Sequence, residues 1–140
     1  MVHIIGVWEL GWNTPIKEVE LWEYPLRDFG VEKFYMTPVS GIQSSSVTEV
    51  ASMEQLLEEY RKLNIPIVFV DEHGTTELKE FTHPETALYV FGKASFSPFK
   101  AYAKDKDMSV VIRTEINSGL LWPHQAAAIL LYDRENKWQS

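Results

Sequence analysis

With 140 residues, 45% of them hydrophobic, the chain is long enough to bury one core, and a single domain spanning 1–140 is expected. A net charge of −7 and the lack of any window rich in Lys and Arg exclude an electropositive nucleic-acid stripe, because that affinity comes from cationic side chains displacing counterions. The chain has no cysteine, which excludes disulfides, thiolate zinc sites and thiol nucleophiles. No apolar run nears the roughly 18 residues of a membrane span, and MVHIIGVWELGW is no basic leader. A cytoplasmic protein is expected, with neither DNA nor membrane as partner.

In chain order, His3 to Leu10 reads as a buried strand, with Ile4, Ile5, Val7 and Trp8 among few polar residues, and Gly11-Trp12-Asn13 breaks it. Thr14-Pro15 joins an N-cap to proline at the first helical position. Ile16, Val19, Trp22, Leu26 and Phe29 then recur at three- and four-residue steps, which predicts an amphipathic helix, kinked or restarted by Pro25 and stopped by Gly30. Lys33 to Thr37 reads as the second strand, and the serine-rich stretch 38–47 as a loop. Ser52-Met-Glu-Gln55 matches a capping box, and Met53, Leu56, Leu57, Tyr60 and Leu63 form the buried stripe of a second helix.

Ile65 to Val70 is a continuous apolar run, as expected of a parallel strand covered on both faces. Asp71-Glu72-His73-Gly74 ends it, and Thr75 to Phe81 reads as a short helix. A strand at 87–91, a helix near 98–104, a strand at 109–113 and a helix over about 123–135 complete the alternation. The fold class is therefore α/β, a mainly parallel sheet with helices on both faces. Sheets of this kind hold ligands beyond the carboxyl ends of their strands, which directs attention to the loops 71–76, 92–98 and 114–122.

Motifs with their own chemistry are missing. The four histidines show no paired ligand spacing, so no metal is expected, and neither a Walker loop, GxGxxG nor Gly-x-Ser-x-Gly occurs. What remains is Gly92 directly after a strand and Asn117-Ser118-Gly119 before a helix. A glycine there lets a ligand approach the backbone, or serves the turn alone.

HPETALYVFG (83–92), followed by VVIRT (110–114) and AAAILLYDR (126–134), resembles the closing half of the SpoU-type RNA methyltransferases of the SPOUT, or α/β-knot, class. Asn13-x-Pro15 followed by Asp28-Phe29-Gly30-Val31 is similar to that family's first motif. The resemblance touches most of the chain, with real specificity only in the C-terminal 50 residues. It implies a C-terminal trefoil knot, a feature otherwise nearly absent from protein folds. It also implies S-adenosylmethionine held mainly through backbone groups of the knot loops, at Phe91, Gly92, Ile112, Thr114, Gly119 and Leu121. Further implications are a homodimer through the C-terminal helix and knot region, and a tRNA or rRNA substrate.

The chain departs from that pattern where chemistry is expected. Tyr24 stands in the place of the first motif's arginine, Ala94 in that of a glutamate, and Leu120 and Trp122 flank Leu121 where serine and asparagine belong. Methyl transfer to a ribose hydroxyl needs a positioned group for the proton and another for the target phosphate and sugar. Arg27, three residues beyond Tyr24, is the candidate catalytic group if the helix restarts at Pro25. Glu115 and His124 are further titratable candidates, though a histidine so placed is more often a surface or interface residue than a base and the same holds for Glu115, and Trp122 reads as a dimer-interface aromatic. Two functional readings follow: a minimal S-adenosylmethionine-dependent RNA methyltransferase, and a catalytically silent knot-fold homologue acting as a dimeric interaction or RNA-binding module. An unknotted, flavodoxin-like binding domain is a third.

Overall fold

A computed structural model describes residues 1–9, 15–116 and 121–139. The elements are β1 (Val2–Val7), α1 (Pro15–Asp28), β2 (Lys33–Thr37), β3 (Thr48–Glu49), α2 (Met53–Lys62), β4 (Ile67–Val70), β5 (Thr76–Glu77), a 3-10 turn (Leu78–Glu80), β6 (Ala87–Phe91), α3 (Pro98–Tyr102), β7 (Met108–Val111) and α4 (Pro123–Gln139). Every strand pairing is parallel, and the seven strands lie in the order β3-β2-β1-β6-β4-β7-β5.

Period-two alternation divides the strand side chains between two cores. Ile4, Val68, Val70, Tyr89 and Phe91 face α1 and α4, meeting Val19, Trp22 and Leu26 on the first and Ala127, Leu130 and Leu131 on the second. Ile5, Val7, Ile67, Phe69, Leu88 and Val90 face the other way, against Met53, Leu56, Leu57 and Tyr60 of α2, with Phe99 and Tyr102 of α3 packed alongside. The central strands read as continuous apolar runs because both of their faces are covered.

Local signals explain the ends of the elements. Gly30 sits at φ +65°, and Gly30 and Val31 donate their N–H groups to the Arg27 and Leu26 carbonyls, a glycine-terminated helix end. The Ser52 hydroxyl accepts the Gln55 N–H at 3.2 Å and caps α2. At the other end of the chain, α4 is tied to the 78–85 segment by polar contacts. His83 bonds Tyr89 Oη and Asp133 at 2.8 Å each, Arg134 donates to Glu85 O and Tyr89 Oη, and Lys137 donates to the Leu78 and Phe81 carbonyls.

Several expectations need correction. β1 stops at Val7: the Trp8 N–H makes a last bond to Thr37 O, and its indole N–H donates to Pro38 O and Glu49. α1 neither ends nor restarts at Pro25 but continues to Asp28. Of the short helix read at 75–81 only the 3-10 turn forms, after the two residues of β5. β7 ends at Val111, leaving Ile112 and Arg113 in the following loop. The expected knot turns on the path of 112–122, part of which lies outside the described residues, as do Thr14 and the 117–119 turn.

Candidate functional site

Adjacent parallel strands whose following helices go to opposite faces leave a crevice beyond their carboxyl ends, where ligands of such sheets bind. β1 and β6 are such a pair. α1 after β1 lies on the face of α4, whereas α3 after β6 lies on the face of α2.

The loops after β4 and β6 are tied to each other and to strand β7 at this end of the sheet. Asp71, just past β4, donates its N–H to Val110 O of β7 at 3.0 Å and accepts the Ser97 hydroxyl from the loop after β6 at 2.7 Å. Gly74 lies flat over β7, where a Cβ would come within 2.6 Å of the Val110 carbonyl. Gly92 is equally confined. A Cβ there would fall 2.5 Å from Pro98 Cδ and closer still to Phe96 O, in a turn closed by paired Lys93 and Phe96 backbone bonds. The turn's own return path therefore requires this glycine.

At the end of β1 lies a small depression lined by Val7, Glu9, Glu18, Trp22, Trp122, Pro123 and His124. Glu18, in the first turn of α1, is only 3% exposed. The Glu9 backbone N–H donates to both of its carboxylate oxygens, at 2.8 and 3.2 Å. Loss of water around the carboxyl pushes its pKa up to about 7, and the nearby Glu9 charge adds to the rise; the Glu9 N–H and the Lys93 ammonium oppose it. The His124 ring stands edge-on to Trp22 and Trp122, with centroids 6.5 and 5.6 Å away, and burial lowers its pKa. A buried carboxyl of raised pKa in a cleft is a candidate for a functional acid or base.

The structure distributes the expected site residues unevenly. Phe91 is buried, edge-on to Trp22, and Gly92 follows it under the turn. Ile112 packs on the α1/α4 core, and Thr114 and Glu115 are exposed just beyond it. Leu121 is half-exposed ahead of α4, Trp122 is 52% exposed on the depression's rim, and Gly119 lies outside the described residues. Arg27 is not part of this cluster. It lies in the last turn of α1, exposed, next to the segment where Glu32 N–H meets Val2 O at the amino end of the sheet. Its expected place depended on a helix restart that does not occur. Tyr24, 71% exposed, also faces away.

Glu18 is the residue that sequence reasoning missed. The available signal was the step from Glu18 to Trp22 and Leu26, which puts a carboxyl on the buried stripe of α1. Among the described residues no cluster of three or more His, Asp or Glu side chains could hold a metal ion, and no helix is long and apolar enough to cross a membrane.

No protein-family model and no curated protein sequence matches the chain. Solved structures do. A structure of an RNA 2′-O ribose methyltransferase superposes on 99% of the chain with a TM-score of 0.80 at 17% identity. The chain has the fold of the SpoU methyltransferases. A second structure, described as giving insight into 2′-OH methylation at position 34 of tRNA, covers 99% of the chain with a TM-score of 0.77 at 11% identity. A third is the SpoU methyltransferase AviRb from Streptomyces viridochromogenes in complex with AdoMet, with 99% coverage, a TM-score of 0.77 and 16% identity. The chain spans 57% of the first protein, 91% of the second and 58% of the third. The SpoU fold extends from β1 to α4 and takes in both the gathered loops and the Glu18 depression.

Proposed function

We propose that the protein is an S-adenosylmethionine-dependent RNA methyltransferase of minimal SpoU type. What supports this reading is that, in a SpoU fold, the turn after Phe91-Gly92 and the 112–116 segment both follow the carboxyl ends of parallel strands, and the start of α4 lies beside Val7 at the same end of β1. The donor set suits a ligand held by backbone groups. Asp71 ties the loops after β4 and β6 to strand β7, and Ile112 follows that strand with its side chain packed on the α1/α4 core. Phe91, Gly92, Ile112, Thr114 and Leu121 would hold the cofactor, with Gly119 from the adjoining segment. Bound there, S-adenosylmethionine supplies an electrophilic methyl group. The trefoil knot belongs to this proposal, since it would bring the 112–122 segment against the turn after β6. Isothermal titration calorimetry should give saturable binding of S-adenosylmethionine and S-adenosylhomocysteine; no heat and no thermal shift at millimolar ligand would refute the reading.

A homodimer is the second part of the proposal. α1 and α4 pack together and turn apolar side chains outward, among them Leu21 and Tyr24 on α1 and Ile129, Tyr132 and Trp138 on α4. Such a face is covered by a second copy in a symmetric dimer. Light scattering on the eluting protein should give twice the 16.2 kDa chain mass, and the monomer mass at tens of micromolar would exclude it.

One observation favours the silent module instead. The space above Gly92 is filled by the chain's own Phe96 and Pro98, so the glycine alone does not speak for a ligand.

A further inference from the structure

We propose that Glu18 is the proton acceptor of this site: its carboxylate takes the proton of a substrate hydroxyl as that oxygen receives the methyl group. The inference rests on the methyltransferase reading above and names its acceptor chemistry as a neutral hydroxyl, the group a ribose offers. In the step, the oxygen forms a bond to the methyl carbon as the carbon–sulfur bond breaks and its electron pair stays on sulfur. The oxygen–hydrogen bond breaks and a hydrogen–oxygen bond forms on Glu18. The products are a methyl ether, a neutral thioether and a neutral carboxylic acid, which returns its proton to water.

Four observations converge on this residue. The depression lies at the carboxyl end of β1, where the helices after β1 and β6 go to opposite faces, and the charge of Lys93, in the turn after Gly92, reaches Glu18. Among the described residues, Glu18 is the one acidic residue that is buried, and no ion pair within 4 Å accounts for its burial. Placing a carboxyl against Trp22 with, among the described residues, the Glu9 N–H as its hydrogen-bond donor costs stability, which a purely structural role would not require. Finally, Arg27 lies toward the other end of the sheet, Tyr24 faces outward, and Glu115 is exposed beyond β7.

The groups facing Glu18 set its working range. Glu9 from the end of β1 and the apolar wall favour the protonated form, Lys93 after β6 favours the carboxylate, and His124 of α4 lines the opposite side of the same depression. A base is most effective when its pKa lies near the working pH, because it is then both available and strong enough to take the proton.

The test combines three readouts on wild type and Glu18→Gln. Carboxyl carbon NMR of the ligand-free wild-type protein should show a Glu18 titration centred near 7, and a midpoint in the ordinary range of about 4–5 would overturn the proposal. Both proteins should bind S-adenosylhomocysteine with dissociation constants within about threefold. Transfer of tritiated methyl to a pool of transcribed tRNA and rRNA fragments should fall by about 100-fold or more in Glu18→Gln, and the variant should lose the rise in rate between about pH 6 and 8. Transfer within about threefold of wild type, or a retained pH profile, would overturn the role of Glu18 while leaving the methyltransferase reading intact. A wild-type protein that methylates none of these RNAs would overturn both.

Discussion

Replacing Glu18 with glutamine is expected to raise the free energy of unfolding at pH 8.5 by about 3 kcal/mol and to change it little at pH 4. The folded-state pKa of about 7 lies above the ordinary 4.5. Between those values the folded chain holds a proton that the unfolded chain has released. The stability that this proton represents is fully present below pH 4.5 and is lost as the pH rises through 7. Glutamine keeps a carbonyl oxygen for the Glu9 N–H but carries no charge to desolvate. His3, His83 and His124 have the opposite dependence. Burial lowers each of their pKa values, so the stability they contribute is present above 6.5 and is lost as the pH falls. Urea denaturation across a pH series should therefore show Glu18→Gln parting from wild type only on the alkaline side. Equal midpoints at pH 8.5 would show that Glu18 is better solvated than its surroundings indicate. Together with a loss of methyl transfer, a gain in stability would mark a residue kept for chemistry at a cost to the fold.

The second large effect is expected at Gly92. Replacement by alanine should destabilise the ligand-free protein by about 3 kcal/mol, at the upper end for added volume in a packed site. The new methyl would meet the Phe96 carbonyl and the Pro98 ring, neither of which is a flexible side-chain tip. Relief requires opening the Lys93–Phe96 turn, and with it the Ser97 hydroxyl bond to Asp71 that joins the loops after β4 and β6. Were Gly92 needed only for close approach of a ligand, alanine would leave the free protein unchanged and abolish cofactor binding alone. Urea unfolding without ligand separates the two: a loss below about 0.5 kcal/mol would contradict the packing account.

What the sequence revealed and what it hid have physical causes. The two-core sheet was legible because β1, β4 and β6 are covered on both sides, so that β4 and β6 run apolar without interruption and β1 is broken only by His3 and Gly6. Gly30 and Ser52 were legible because a left-handed helix end and an N-cap are local requirements. β3 and β5 were not, since two residues each carry no pattern of their own and depend on neighbours in β2 and β7. The stripe of α1 is buried as expected at Val19, Trp22 and Leu26 and differs at its start. Ile16 is 42% exposed, and the buried set is Glu18, Val19, Trp22 and Leu26. A glutamate among Lys17, Glu20 and Glu23 reads as part of a solvated face. Its burial comes from the Glu9 amide and the start of α4, partners that no window of sequence brings together. The misplacement of Arg27 has a similar origin, because whether proline breaks a helix depends on what holds the helix to the sheet. Here Trp22 and Leu26 anchor α1 on either side of Pro25.

The most direct test of the account is a backbone-amide NMR titration of the isotopically labelled protein with S-adenosylmethionine. The account predicts saturable shifts centred on Gly92 and its turn, on Ile112 and Thr114, and on Leu121 at the head of α4. No shift at millimolar cofactor, or shifts confined to the face of α2, would contradict it.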